Sequence, residues 1–310
     1  MKIEIIISSL LLSSVFLYYF QKIFLKKDYT DKINIRSSHS TLATRNGGIA
    51  IYFSILIIST FFYVTGYEIF DYSVLVSLTL LLTIGLYDDL HGVDFKLKFI
   101  FQIIFAKLII DSGFIIDNLH GILGINEINR ILAQLFSIFI ITAIINAINF
   151  IDGIDGLTIT IVSFFIVMFE LLGNDLSPFF NLSLILICSF IPLFYFNLRR
   201  NNKIFLGDSG SLFLGGVVAI YVMHICSSDY LVSESYDINK ILFVFSILTY
   251  PIIDITRIVL VRIKNGKSPF TADKNHIHHL LLKKFKSHYQ ATLILLLFTI
   301  IVFLITHFIF

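Results

Sequence analysis

The sequence predicts an all-α polytopic membrane helix bundle of about ten transmembrane helices. Three observations predict it. Of 310 residues, 57% are hydrophobic and 14% charged, with a mean hydropathy of +0.89, whereas soluble domains carry about 25% charged residues. The apolar residues fall into ten stretches of roughly the length that crosses a bilayer. The Lys and Arg residues collect in alternate loops, the pattern of cytoplasmic loops.

The first stretch, 3–20, has no small-residue cleavage site, and its positive flank (Lys22, Lys26, Lys27) follows the apolar run. That predicts an uncleaved span with the N-terminus outside rather than a signal peptide. The next stretch is 47–65. The third, 71–87, ends in Tyr87-Asp88-Asp89, and the fourth, 98–116, opens on Lys98. Stretches 131–148 and 156–173 flank an acidic turn, 179–197 closes on Asn197, and 209–226 follows Leu206-Gly207-Asp208. The last two are 239–261 and 291–309. Loops 21–46, 88–97, 149–155, 198–208 and 262–290 hold 17 Lys/Arg, against Lys2, Arg130 and Lys240 on the opposite side. This places the first set in the cytoplasm. Lys107 and Arg257 lie inside stretches and are expected to face protein or snorkel. Segment 117–129 has turn glycines and alternation, which predicts a small external hairpin. Cys188 and Cys226 sit in apolar runs and suggest neither a disulfide nor a Cys metal site. There is no Trp, so interfacial anchoring falls to Tyr and basic residues. No soluble domain, linker or short repeat interrupts the chain, so 1–310 reads as one integral-membrane domain.

Every chemical motif falls in the cytoplasmic set. Asn146-Ala-Ile-Asn-Phe-Ile-Asp-Gly-Ile-Asp-Gly-Leu157 sets amides and carboxylates beside an apolar run. Carboxylates there are expensive unless they bind something. Asn149, Asp152 and Asp155 are three apart and share one side of a helical turn. Gly153 and Gly156 remove side chains that would keep a ligand from the backbone. A polar helix cap is the plainer alternative. Asp88 and Asp89 are adjacent and stay ionised most easily near a cation. Successive helical positions differ by about 100°, so both need not point at one ion. A hard oxygen site suits Mg²⁺. Lys98, with Gln102 one turn on, reads as a phosphate contact or a snorkelling lysine. Gly207-Asp208-Ser209-Gly210 at a helix start exposes N–H groups to an anion, with Asp208 adding a carboxylate; it is also ordinary turn chemistry. The longest cytoplasmic loop carries Arg262, Lys264, Lys267 and Asp273-Lys-Asn-His-Ile-His-His279. This density of His and Arg suits a pyrophosphate or anionic lipid. A zinc site is conceivable, but matching Cys or Glu ligands are not evident.

Together these segments resemble the polyprenyl-phosphate N-acetylhexosamine-1-phosphate transferases (glycosyltransferase family 4), nearest to the undecaprenyl-phosphate GlcNAc-1-phosphate transferase branch. Five segments match in order: Arg36 to Gly48; Asp88-Asp89 with Lys98 and Gln102; Asn146 to Leu157; Asn197 with Gly207 to Ser211; and Arg262 to His279. The His-Ile-His-His form is closer to that branch than to the phospho-N-acetylmuramoyl-pentapeptide translocases. The resemblance implies transfer of N-acetylhexosamine-1-phosphate, by default GlcNAc-1-phosphate from UDP-GlcNAc, to undecaprenyl phosphate with release of UMP, at the start of a lipid-linked cell-envelope glycan. It implies Asp88, Asp89, Asp152, Asp155 and His278 as catalytic residues. Lys98, Asn149, Asn197, Arg262, His276, His279 and Arg45 become substrate-binding positions. Asp208 and Asp152 become ligands of Mg²⁺, with Mn²⁺ an admissible substitute. The implied setting is the inner (cytoplasmic) membrane with the active site on the cytoplasmic side. A homodimer is compatible with it, and no nucleic-acid partner is expected. Ile33 and Thr44 stand where the family usually has Pro, which concerns the first loop and entry of the lipid phosphate.

A transporter is the rival from another class, but transporters keep buried charges near the bilayer midplane. Here the acids lie at span ends on one side. A CDP-alcohol phosphotransferase also uses Mg²⁺ and aspartates, yet its motif is not visible.

Overall fold

The computed structural model describes residues 1–31, 42–119, 124, 127–173, 176–227, 240–269, 273 and 275–309. Ile33, Arg36 and most of the first basic loop lie outside them. Among the described residues twelve helices run in chain order: α1 Lys2–Lys26, α2 Gly47–Val64, α3 Tyr72–His91, α4 Phe95–Asp111, α5 Arg130–Ile151, α6 Leu157–Leu172, α7 Phe180–Leu198, α8 Gly207–Ser227, α9 Lys240–Ile247, α10 Thr249–Lys264, α11 Ile277–Phe285 and α12 His288–Ile309. The ten apolar stretches correspond in order to α1–α8, the α9–α10 pair and α12. Among the described residues seven helices are long and apolar enough to cross a membrane, or eight if the bent α9–α10 pair counts as one. At 17 and 16 residues, α4 and α6 are shorter. The chain is an all-α polytopic membrane protein.

Helix α8 is the axis of the bundle. Leu212 through Tyr221 is apolar or glycine, and its side chains are buried all round, as expected of a helix with no polar face. It packs against α3, α5 and α2. Two close approaches explain glycines in the helices packed against its start. A Cβ at Gly48 of α2 would lie 2.2 Å from Gly210 Cα, and one at Gly85 of α3 would lie 2.4 Å from the Asp208 carbonyl. Outside this axis, α1 and α12 turn apolar stripes outward, with Ile3, Ile7, Leu11 and Val15 exposed on one and Leu297, Ile301, Leu304 and Phe308 on the other. Such patches fit lipid.

Local chemistry sets the helix ends that matter. Asp71 caps α3, accepting from Ser73 N at 2.8 Å. Gly92, at φ +74°, turns the chain out of α3, and Asp94 caps α4. The stretch 98–116 stops early, at Asp111, because Ser112 and Gly113 (φ +99°) turn the backbone out of the helix. The stretch 239–261 is not one helix: α9 and α10 meet at 82°. Pro251 has no N–H to donate to the carbonyl of Ile247, and its ring crowds that carbonyl, so the helix breaks and restarts. The expected hairpin at 117–129 is described at its ends, where Asn118 pairs with Glu127 as an antiparallel bridge; most of its tip lies outside the described residues.

One small sheet joins distant loops. Strand β1, Ala43–Thr44, pairs in parallel with β2, Lys203–Ile204. The N–H groups of Gly47 and Gly48, unsatisfied at the start of α2, donate to the carbonyls of Phe205 and Leu206 at 3.0 and 2.9 Å. This draws the starts of α2 and α8 together.

Candidate active site

The motif residues converge at one end of the bundle, where α3, α5 and α7 end and α4, α8 and α11 begin. At the centre is a carboxylate–ammonium contact. Lys98 Nζ lies 2.7 Å from Asp88 Oδ2 and also pairs with Asp208 Oδ2. Asn149 Nδ2 donates to Ser211 Oγ at 2.7 Å and approaches Asp208 Oδ1 at 3.5 Å. One turn below, Asn146 and Gln102 exchange amide hydrogen bonds at 2.7 and 3.3 Å. Four helices, α3, α4, α5 and α8, thus lend polar groups to a site still open to solvent, with Asp208 29% exposed.

Asp89 faces elsewhere. Its oxygens accept from the backbone N–H groups of Asp208 and Ser209, both at 2.9 Å. It is 1% exposed, with Arg45 NH1 3.8 Å away. The carboxylate of α3 therefore caps α8, satisfying two of its free donors and meeting the positive end of its dipole. Arg45 also binds Asp31 at 2.6 Å. A polar cavity of about 340 Å³ opens here, bounded by Phe24, Tyr29, Asp31, Arg45 and Asp89.

The loop between α5 and α6 holds two acids in different surroundings. Burial, reinforced by the nearby Asp208 charge, pushes Asp152 up to about 7. Asp155 is held below the usual carboxylate range. Burial opposes its ionisation, but His288 and Lys203 outweigh that. His288 Nδ1 lies 3.0 Å from Asp155 N and 3.3 Å from Oδ2. Unprotonated, that nitrogen accepts the amide hydrogen; protonated, it donates to the carboxylate. Asn197 braces the same loop: Oδ1 accepts from Gly156 N at 2.7 Å and Nδ2 donates to the Ile204 carbonyl at 2.9 Å. A depressed carboxyl stabilises the fold above its unfolded value of about 3.9, and that stability is lost as pH falls through the folded value. Asp155→Asn is therefore expected to lower thermal stability at pH 7 by about 3 kcal/mol, since Lys203, only 14% exposed, loses its carboxylate partner. The gap to wild type should close below about pH 4, as followed by melting across pH.

The histidines sit on the far side of that loop. Arg262 is 3% exposed and gives Nε to Asp273 at 2.8 Å, NH1 to the Pro269 carbonyl at 2.5 Å and NH2 to His276 Nε2 at 3.3 Å. Its guanidinium lies over Phe150, 5.5 Å from the ring centroid. Arg262 thus frames the loop. His276 and His278 are buried, while His279 is partly exposed beside His278. Burial holds His278 well below the usual histidine value, so it is neutral at pH 7. Asp254, His276 and His278 offer ligand atoms within 4.8 Å of one another. Tetrahedral zinc would set such atoms roughly 3.3 Å apart. The 2.7 Å from Asp254 Oδ2 to His276 Nδ1 is a hydrogen bond, and a guanidinium touches the same ring.

Sequence reasoning missed Asp254, Tyr250, Lys203 and His288. Asp254 had a signal, being a lone carboxylate within an apolar stretch. Lys203 was counted only among basic loop residues. Arg257, expected to face protein or snorkel, donates to the Asn275 carbonyl at 2.6 Å.

Fold and site define a membrane-embedded helix bundle with a convergent carboxylate, lysine and histidine centre at one end. Comparison with known proteins assigns it. The family model described as glycosyl transferase family 4 matches residues 72–226. The chain is 32% identical over 289 residues to the undecaprenyl-phosphate alpha-N-acetylglucosaminyl 1-phosphate transferase of Pasteurella multocida, covering 90% of this chain and 78% of that protein. It is 28% identical over 303 residues to the enzyme of that name from Escherichia coli K12, covering 94% and 79%. It is 29% identical over 285 residues to a probable undecaprenyl-phosphate N-acetylglucosaminyl 1-phosphate transferase of Bacillus subtilis, covering 89% and 76%. The chain belongs to glycosyl transferase family 4.

Proposed function

We propose that this protein transfers GlcNAc-1-phosphate from UDP-GlcNAc to undecaprenyl phosphate, releasing UMP and starting a lipid-linked envelope glycan. The whole of 1–310 is one integral-membrane catalytic domain. It crosses the inner membrane about ten times, with its N-terminus outside and its polar end in the cytoplasm, as the one-sided Lys/Arg distribution supports. The observation that carries the reading is the Asp88–Lys98–Asp208 contact at a bundle end; a separate apolar cavity of about 310 Å³ runs along α5. That cavity lies between α5, α8 and the bent α9–α10 pair. It reaches Ile148, next to Asn149, and is lined by residues such as Phe136, Ile144, Val244 and Ile252. A polyprenyl tail suits such a furrow, and a soluble nucleotide sugar suits the polar end.

The reaction is an in-line attack of a lipid phosphate oxygen on the β-phosphorus of the donor. The new P–O bond forms as the bridge to the α-phosphorus breaks, and UMP leaves with the bridging oxygen. A phosphate monoester is largely ionised near pH 7, so Asp88 assists and orients the nucleophile without having to be a strong base. Lys98 offsets the repulsion between the two anions. His279, partly exposed where His276 and His278 are buried, is read as a contact to the diphosphate, with Asn149 as a nucleotide-side donor. The donor set fits Mg²⁺, since Asp208 and Asp152 are hard oxygen ligands that would hold it. Held by them, the ion would neutralise charge on the diphosphate. Asp89, Asp155, Asn197 and Arg262 serve by holding the loops that present these groups.

The test is a panel of UDP-N-acetylhexosamines with purified protein, undecaprenyl phosphate and Mg²⁺, following UMP. Release from UDP-GlcNAc is expected; release from none would end the reading. Rapid-quench labelling that trapped a phospho-aspartate would replace the single displacement by a two-step route. Gly153→Ala is expected to cut turnover at least tenfold, because its Cβ would lie 2.2 Å from His278 Nε2 and must push the ring or the Asp152 loop aside. The overpacking costs about 1–3 kcal/mol, so melting and UMP release should fall together.

A further inference from the structure

The histidine pair rests on a face of α10 that no motif marks. Tyr250 and Asp254 stand four apart, so they project from the same side, one turn between them. Both are fully buried. Tyr250 Oη lies 2.9 Å from Nδ1 of His278. Asp254 Oδ2 lies 2.7 Å from Nδ1 of His276, and its Oδ1 accepts from Ile277 N at 2.7 Å. The two imidazoles are nearly parallel, with centroids 5.4 Å apart and planes at 19°. One helix turn thus grips two rings by the same atom of each.

The grips differ in kind. An ionised carboxylate only accepts, so His276 carries its hydrogen on Nδ1. Its Nε2 lone pair then faces Arg262 NH2, a donor, at 3.3 Å. A phenol can donate, and an imidazole lone pair is a better acceptor than a phenol oxygen. His278 therefore accepts at Nδ1 and carries its hydrogen on Nε2. That nitrogen is buried and has no hydrogen-bond partner among the described residues. It abuts Gly153, where only a glycine leaves it room.

We infer that Tyr250 and Asp254 are positioning residues that lock His278 and His276 in opposite tautomers, so that His278 holds a fixed Nε2–H donor against the loop carrying Asp152. A donor fixed in a dry wall suits an anionic oxygen and needs no reorganisation when charge develops. The tautomers follow from the hydrogen-bond partners of the two rings, whatever reaction the site performs. Their effect on turnover rests on the proposed transferase reading.

The experiment uses the full chain in nanodiscs, labelled with [15N]histidine, as wild type, Tyr250→Phe and Asp254→Asn. Ring nitrogen resonances are assigned by single His→Gln substitutions and read beside the kinetics of UMP release. Opposite tautomers are expected in wild type. Asp254→Asn should lose the Nδ1–H form of His276, and Tyr250→Phe should leave His278 a mixture. Loss of partners that orient metal-bound imidazoles costs roughly 10–100-fold, and a loss of about tenfold is expected for these unmetallated rings. That loss is expected in kcat, with the KM for the nucleotide sugar within about threefold of wild type. Tyr250→Phe keeps the ring and its packing, so it carries the test if Asp254→Asn does not fold. Like tautomers in wild type would overturn the inference. So would a Tyr250→Phe protein with unchanged His278 resonances and kcat within twofold. A wild type that released no UMP from any donor would remove the transferase reading instead, while the resonances would still decide the tautomers.

Discussion

Asp208→Asn is expected to abolish UMP release, lowering turnover by roughly 10³-fold or more, while the protein still purifies as a folded bundle. Removing one group that stabilises charge at a reacting centre costs roughly 10²–10³-fold, and this one is also the proposed ligand of the divalent ion. Asparagine keeps the shape. The bonds that seat the start of α8 run from the backbone N–H groups of residues 208 and 209 to Asp89, so they survive the change. Lys98 keeps Asp88 as a partner at 2.7 Å. The measurement is a turnover assay beside size-exclusion and a thermal melt. Near-normal activity would remove Asp208 from the chemistry, and a collapsed melt would make its role structural.

Gly48→Ala is expected to act in the opposite sense, removing stability first. The added methyl would lie 2.2 Å from both the Cα and the N of Gly210. The obstacle is backbone, which cannot rotate away as a side chain can. Either α2 and α8 separate or the start of α8 shifts. Overpacking of this kind costs about 3 kcal/mol, and a lower melting temperature and poorer yield should follow. Activity should fall with it, because Asp208 lies at the displaced end. Expression, melting and turnover measured together distinguish this from Asp208→Asn, where turnover alone falls.

Much of this was legible in the chain itself. The apolar stretches marked the helices because lipid leaves the backbone few other choices. The motif residues were visible as polar groups at stretch ends. What the sequence could not give was direction. Asp88 and Asp89 are neighbours in the chain, yet one meets Lys98 and the other caps α8. That division follows from the 100° step of a helix combined with which helix lies on each side, and only packing supplies the second part. The break just before Pro251 was obscured because the residues around it are mostly apolar, as in a continuous span. The partners of Asp254 and Tyr250 were hidden because they lie more than twenty residues away, across a loop whose course no local pattern encodes. Lys203 was legible only as a charge, and its pairing with Asp155 depends on where the β1–β2 contact sets the loop before α8.

The 82° bend between α9 and α10 has a practical consequence on the proposed reading. A wall that turns aside leaves a side door to the surrounding bilayer, so a long isoprenoid can slide in edgewise and never leave its oily milieu. Surfactant tails would use the same door. Assays in micelles should therefore weaken as the surfactant alkyl chain lengthens, and recover when the enzyme is returned to a lipid disc.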